Sequence, residues 1–228
     1  MFNNNHIGMS KMESPPSDFD AIAPTWYNLR HYSIFKAELA ALAQRWQSGK
    51  LLNLGCGHGA DFLPFKNNFE LFGIDYSNGM LQQAKRFADK HSFSANMTQA
   101  DLRALPYTNS SFDQAIAIAT YHHLKGHSEQ LKAFAELHRV LKPGGEAFLT
   151  VWNRCQTRFW FKGKEILLPF KVGNQSIERY YYLFTFGEIE KLARQTGFVV
   201  LRSVPENRYR FPLRTFARNI CLLLKKSN

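Results

Sequence analysis

The sequence predicts an α/β fold: a mainly parallel sheet whose strands are joined by helices through right-handed crossovers. Three observations lead there. Short apolar runs alternate with segments of helical period at the spacing of repeated strand–helix units. The stretch LLNLGCGHGAD at 51–61 sets glycines at 55, 57 and 59 between one such run and the next helical segment. That is the pattern of a strand-to-helix turn passing close to a ligand. The length, 228 residues, suits one domain with a full hydrophobic core.

The elements follow in order. SIFKAELAALAQRWQ at 33–47 has apolar residues at three-and-four spacing and predicts an amphipathic helix. KLLNL is a short apolar strand, 60–67 a short helix, and ELFGID a second strand. SNGMLQQAKRFADK is a helix with Ser77 as its N-cap. FSANMTQAD and FDQAIAIAT read as strands, SEQLKAFAELHRVL as a helix, and EAFLTVW as a strand, with KPGG at 142–145 closing the helix in a sharp turn. Residues 153–184 show no clear period and read as an insertion on the substrate side. Thr185 and Glu188 form a capping-box pattern opening TFGEIEKLARQTG, and Gly197 stops that helix. FVVLRSV and ARNICLLLKK supply two last strands. Residues 1–18, polar and carrying Pro15-Pro16, are expected to be a flexible tail ahead of a single domain at 19–228.

Composition removes several classes of function. Hydrophobic residues at 45% and charged residues at 21% describe a globular chain. The apolar runs are too short for a membrane-crossing helix, and the N-terminus lacks the basic start and apolar stretch of a signal peptide, so cytoplasmic residence is the expectation. Cys56, Cys155 and Cys221 are an odd, widely spaced set without CxxC, against a disulfide framework or a structural metal site. The net charge of +11 is unevenly placed: residues 1–150 carry 14 Lys/Arg against 13 Asp/Glu, and residues 151–228 carry 15 against 5. The basic third is also rich in aromatic residues, a mixture suited to phosphates and bases or to a solubilised surface over ordinary core aromatics.

The glycine turn alone also fits a dinucleotide-binding fold. Asp75, at the end of the second strand and twenty residues past Gly55, stands where a carboxylate reaches a ribose or caps the next helix. Asp101, ending the third strand in QADLRALP, is placed to accept from an adenine amino group or to cap a turn.

In order along the chain, LLNLGCGHG, GIDYS, ADLRALP, FDQAIAIATYHHL and RVLKPGGEAFLTV resemble the class I S-adenosylmethionine-dependent methyltransferases from about residue 19 onward. The resemblance implies a Rossmann-like seven-stranded sheet of order 3-2-1-4-5-7-6 with strand 7 antiparallel. It implies S-adenosylmethionine, leaving as S-adenosylhomocysteine, held by Gly55, Cys56, Gly57, Gly59, Asp75, Tyr76, Asp101, Leu102 and Ala119.

Within that superfamily the chain is most similar to the tRNA wobble-uridine 5-carboxymethyl methyltransferases, the group containing the methyltransferase domain fused to an AlkB-type tRNA hydroxylase. The likeness lies in Ile22-Ala23 with Arg30 downstream, IAxxHHL at 118–124, Val151-Trp152, and RYYYLF at 179–184 before GEIEKL. It implies that Arg30, His122 and Arg179 line the acceptor pocket, with His123 an alternative to His122. It further implies that the basic third follows a tRNA anticodon stem-loop, and that a small zinc-binding activator subunit is a partner. Three places depart from the family: Tyr182 stands for a histidine, LRHYSIF replaces a TRY-KPWP block, and NICLLLKK replaces an aromatic C-terminus. All three fall on the substrate side, leaving a small-molecule O- or C-methyltransferase as the competing reading and a cofactor-binding scaffold as a third.

Overall fold

The computed structural model describes residues 18–228. At its centre lie β1 (Gly49–Leu54), β2 (Phe69–Asp75), β3 (Asn96–Gln99), β4 (Phe112–Ile118), β5 (Leu141–Trp152), β8 (Phe198–Pro205) and β9 (Asn219–Lys226). They form one sheet of order β3-β2-β1-β4-β5-β9-β8. Among the strands of this sheet that is the expected 3-2-1-4-5-7-6. β1, β2, β3, β4 and β5 pair in parallel, whereas β9 runs antiparallel to both β5 and β8.

Both faces of the sheet are covered, which is why its central strands read as nearly unbroken apolar runs. On one face α4 (Gly126–Val140) and α5 (Phe186–Gln195) bury Phe134, Leu137, Ile189 and Leu192 against Leu52, Ala115, Leu149 and Leu222. On the other, α2 (Lys36–Trp46) and α3 (Asn78–Lys90) join a 3-10 turn at Ala60–Phe65. There Leu39, Phe62, Phe65 and Leu81 meet Leu51, Leu71, Ile116 and Leu223. Each large side chain so buried contributes about 1.5–3 kcal/mol. The expected caps form: Ser77 accepts the Met80 N–H, and Thr185 and Glu188 make a reciprocal capping box.

The structure departs from expectation in three places, at Asp18, at KPGG and within 153–184. Residues 1–17 of the expected tail lie outside the described residues, and Asp18 already opens α1 (Asp18–Leu29). The proline inside that helix, Pro24, hides it from sequence reading, because proline removes a helical hydrogen bond and reads as a breaker. KPGG does not sit between helix and strand: residues 141–145 already belong to β5, with Phe112 opposite Leu141 and Gln114 opposite Glu146, so the turn is absorbed as a register shift. The aperiodic segment 153–184 contains β6 (Glu165–Val172) and β7 (Gln175–Tyr182), an antiparallel hairpin closed by Gly173-Asn174 with Gly173 at φ +56°. That dipeptide is a two-residue hairpin signal. Pro169 and the flanking cations blur the alternation around it.

The hairpin and α1 cover each other. Ile22 and Ala23 of α1 are fully buried with Met80 of α3, and Trp26, Phe170 and Ile177 pack on them. Together they roof the C-terminal ends of β1, β2 and β4.

Candidate active site

Under that roof lies a cavity of about 630 Å³. Its floor is the β1 turn, where the three glycines do three different things. A Cβ on Gly55 would stand 2.2 Å from Thr120 Cγ2, so Gly55 lets β1 pass the loop after β4. A Cβ on Gly57 would meet nothing within 4 Å, and that residue opens onto the cavity at φ +52°. Gly59 faces Ala84 at 3.5 Å, packing the turn on α3, and it does not line the cavity. Of the nine residues expected to hold the cofactor, the other eight line this space.

Asp75 ties the floor together. Its Oδ2 accepts the Gly57 N–H at 2.8 Å and its Oδ1 the Ser77 N–H at 2.9 Å. Burial nevertheless pushes its carboxyl up to about 6, with the two N–H groups pulling the other way. Ala119 closes the far side in a left-handed conformation, φ +56°, that a non-glycine residue holds only under constraint. Thr150 supplies the constraint, its Oγ1 accepting the Ala119 N–H at 2.9 Å. Asp101 is committed to Arg103, whose Nε lies 2.8 Å from Oδ1, and that hydrogen bond holds its carboxyl below the usual range. An adenine amino group placed there would meet a carboxylate already shared.

Sequence reasoning passed over Asp61. It lines the cavity, and burial raises its carboxyl to about 6 against the Ser33 hydroxyl and the Arg30 guanidinium. Its place, one turn past the glycines, was the available signal. The bare backbone at Gly57, the Asp75 carboxylate at the tip of β2 and the volume of the cleft suit an adenosyl group with a methionyl tail.

The other half of the cavity is cationic and aromatic. Arg30, at the end of α1, lies over Trp26 at 4.5 Å. Arg179 is only 9% exposed, and its guanidinium sits against Phe170 at 4.8 Å, Tyr181 at 5.3 Å and Trp26 at 5.5 Å. Tyr181 stacks on Trp152 at 4.2 Å with ring planes 5° apart. The strand period of two puts Arg179 and Tyr181 on the cavity side of β7 and Tyr182 on the other, where it packs on Phe184. The substitution at 182 therefore falls away from the cavity.

His122 and His123 both line the cavity, and both are held neutral. Burial depresses His122 well below the ordinary range, with His123 and Arg179 adding to it, and burial takes His123 to about 4. His122 Nδ1 accepts the Trp152 N–H at 3.2 Å, and His123 Nδ1 lies 2.8 Å from the Tyr180 carbonyl.

Fold and site together define an S-adenosylmethionine-dependent methyltransferase of the class I architecture. Residues 52–149 match the family described as Methyltransferase domain. The chain is 36% identical to the Arabidopsis thaliana tRNA (carboxymethyluridine(34)-5-O)-methyltransferase, over 59% of this chain and 31% of that protein. It is 28% identical to the 2-phytyl-1,4-naphtoquinone methyltransferase of Nostoc punctiforme, over 83% of this chain and 91% of that one. The chain solved in complex with the Haloferax volcanii Trm112 methyltransferase activator superposes with a TM-score of 0.69 at 17% identity, covering 94% of this chain and 98% of that chain. The alignment spans under a third of the length of six of the curated relatives it matches. Among the described residues no helix is long and apolar enough to cross a membrane.

Proposed function

We propose that this domain esterifies the carboxymethyl group of a tRNA wobble uridine. The observation that carries the reading is Arg179. Its guanidinium is buried among three rings, its Nε has no hydrogen-bond partner, and no carboxylate among the described residues pairs with it. A buried, unpaired cation is costly unless a ligand supplies the anion. In an active site that anion is naturally the acceptor.

The chemistry fits a carboxylate. S-adenosylmethionine supplies an electrophilic sulfonium methyl, and a carboxylate is nucleophilic at neutral pH without a general base. What remains is orientation and exclusion of water. Arg179 fixes the carboxylate in the plane of its guanidinium, with Arg30 at the same mouth. A neutral His122 donates one further hydrogen bond without adding charge, which preserves the nucleophilicity of the free oxygen. The roof of α1 and β6–β7 covers part of the cavity and limits the access of solvent.

The name of the Arabidopsis relative and the basic C-terminal third support RNA, with the anticodon stem-loop as substrate. A small zinc-binding activator subunit is the proposed protein partner, supported by the activator-bound chain of the same fold. Incubation with methyl-labelled S-adenosylmethionine and bulk tRNA tests the reading. The expected product is labelled tRNA that releases its label under mild alkali, as an ester does. Label found only in small-molecule extracts overturns it in favour of a quinone-type acceptor.

A further inference from the structure

The aromatic lining of the cavity does not end at its mouth. Tyr181 stacks on Trp152, Trp152 lies over Phe159 at 6.1 Å, and the Arg158 guanidinium caps both Trp152 (4.7 Å) and Phe159 (4.3 Å). The next residues, Trp160 and Phe161, turn outward, 57% and fully exposed. Trp160 meets Phe216 of the β8–β9 loop at 6.2 Å, and Phe216 meets Phe211 at the same distance. Phe211 is 57% exposed and Phe216 38%. Segments 154–164 and 207–218, which carry this ledge, hold eight lysines and arginines and no aspartate or glutamate.

Large exposed rings clustered on one surface mark an interaction site. The cations interleaved with them select among partners. A lipid surface or an apolar protein patch uses the rings but has no need of flat π-faces, and duplex RNA offers phosphates but hides its bases. A single-stranded loop offers both, and bases stacked on aromatic side chains while the backbone follows a basic groove is the general mode of single-strand binding. The ledge adjoins the pocket that receives the modified base, because Trp160 directly follows Phe159, the last ring of the stack that begins at Tyr181.

We infer that Trp160, Phe211 and Phe216 form a stacking ledge for the unpaired nucleotides flanking the methylated one, with Arg158 and its basic neighbours holding the intervening phosphates. The inference rests on the RNA reading of the acceptor. It adds the surface that recognises the loop and the residues that do so by stacking.

The test is fluorescence anisotropy of the full chain with a fluorescein-labelled oligouridine of about a dozen nucleotides. Trp160→Leu combined with Phe216→Leu keeps the apolar area and every charge but removes two π-faces. The expected result is affinity weaker by about tenfold or more, with an unchanged salt dependence. Trp160→Tyr stays near the parent, and S-adenosylmethionine affinity by calorimetry is unaltered in all variants. Phe211→Leu, at the loop tip, provides the same reading at about threefold should the double variant fold poorly.

Oligouridine binding unchanged in the leucine variants overturns the ledge. So does tighter binding by the parent to phosphatidylserine vesicles than to oligouridine, with leucine tolerated there. The two proposals fail separately. Oligouridine bound through the rings without label transfer to tRNA sinks the acceptor, whereas labelled tRNA with ring-insensitive affinity sinks the ledge.

Discussion

The Trp152 backbone N–H donates to His122 Nδ1 across 3.2 Å, and this one contact decides what His122 presents to the cavity. An imidazole nitrogen that accepts a hydrogen bond carries no proton, so the neutral ring holds its proton on Nε2. The neighbouring His123 is fixed the other way. A carbonyl only accepts, so its Nδ1, 2.8 Å from the Tyr180 oxygen, is the protonated nitrogen. Adjacent histidines thus sit in opposite tautomers, one offering a donor at Nε2 and the other a lone pair.

Long-range nitrogen–proton NMR checks the pair directly. His122 is expected to show a protonated Nε2 and His123 a protonated Nδ1, both in the neutral form at pH 7. His122→Phe, which removes the donor, is expected to lower kcat by about 10–100-fold with cofactor affinity unchanged. Finding both rings in the same tautomer refutes the assignment.

The depressed histidines also predict how stability follows pH. His123 falls from 6.5 to about 4 on folding, so the unfolded chain binds the proton more readily between those values. The stability this represents is complete above pH 6.5 and is lost as pH falls to about 4, a total of about 3 kcal/mol. Asp61 and Asp75, raised from 3.8 to about 6, act in the opposite sense over most of that window. The informative quantity is therefore the difference between parent and His123→Gln in melting temperature. The parent should lose its advantage between pH 6.5 and 4, and a difference independent of pH contradicts the burial argument.

Asp75 predicts the pH dependence of cofactor affinity. In the free protein its carboxyl titrates at about 6. A carboxylate holding the Gly57 and Ser77 N–H groups is a better acceptor for ribose hydroxyls than the neutral acid. Calorimetric affinity for S-adenosylmethionine should rise as pH increases through 6 and level off above 7. Asp75→Asn, which turns an amide toward two N–H donors, should weaken binding by about 100-fold. Gly57→Ala is the companion variant: its Cβ meets nothing within 4 Å of the protein. It should fold with a modest loss of about 1 kcal/mol for the left-handed backbone yet bind cofactor poorly. Gly55→Ala, whose Cβ would strike Thr120, should instead fail to fold well.

How much of this was legible in the sequence depended on whether the signal was local. The caps at Ser77 and Thr185 and the acid closing β2 all obey rules spanning a few residues, and all form. The sheet order follows from the alternation of elements once the family likeness is granted. The pieces that hid are those whose local signal is overruled by packing. α1 tolerates Pro24 because Ile22 and Ala23 are anchored under β6–β7. Gly59 looks like a ligand residue but serves the contact with Ala84. Asp101 looks free but is bound by Arg103, two residues on. The pairing of Tyr181 with Trp152 joins positions 29 apart, which no window of local periodicity spans.

Arg179 supplies the sharpest prediction, because it separates stability from function. A guanidinium buried without an anion is a net cost to the folded state, and burial lowers its pKa while Arg30 adds to the strain. Replacing such a group by an apolar side chain of similar length is neutral or stabilising, typically by about 1–4 kcal/mol. Arg179→Met keeps contact with Trp26, Phe170 and Tyr181 and should therefore melt at or above the parent temperature. Its affinity for S-adenosylmethionine should be unchanged, since Asp75 and the β1 turn are untouched. Methyl transfer to tRNA should fall by about 100-fold or more, because the acceptor carboxylate loses a charge-assisted partner. Arg179→Lys should recover only part of that loss, since a point charge cannot fix the carboxylate plane. A marked drop in the melting temperature of Arg179→Met would mean that the arginine has a structural anion within the fold, and the acceptor reading would lose its foundation.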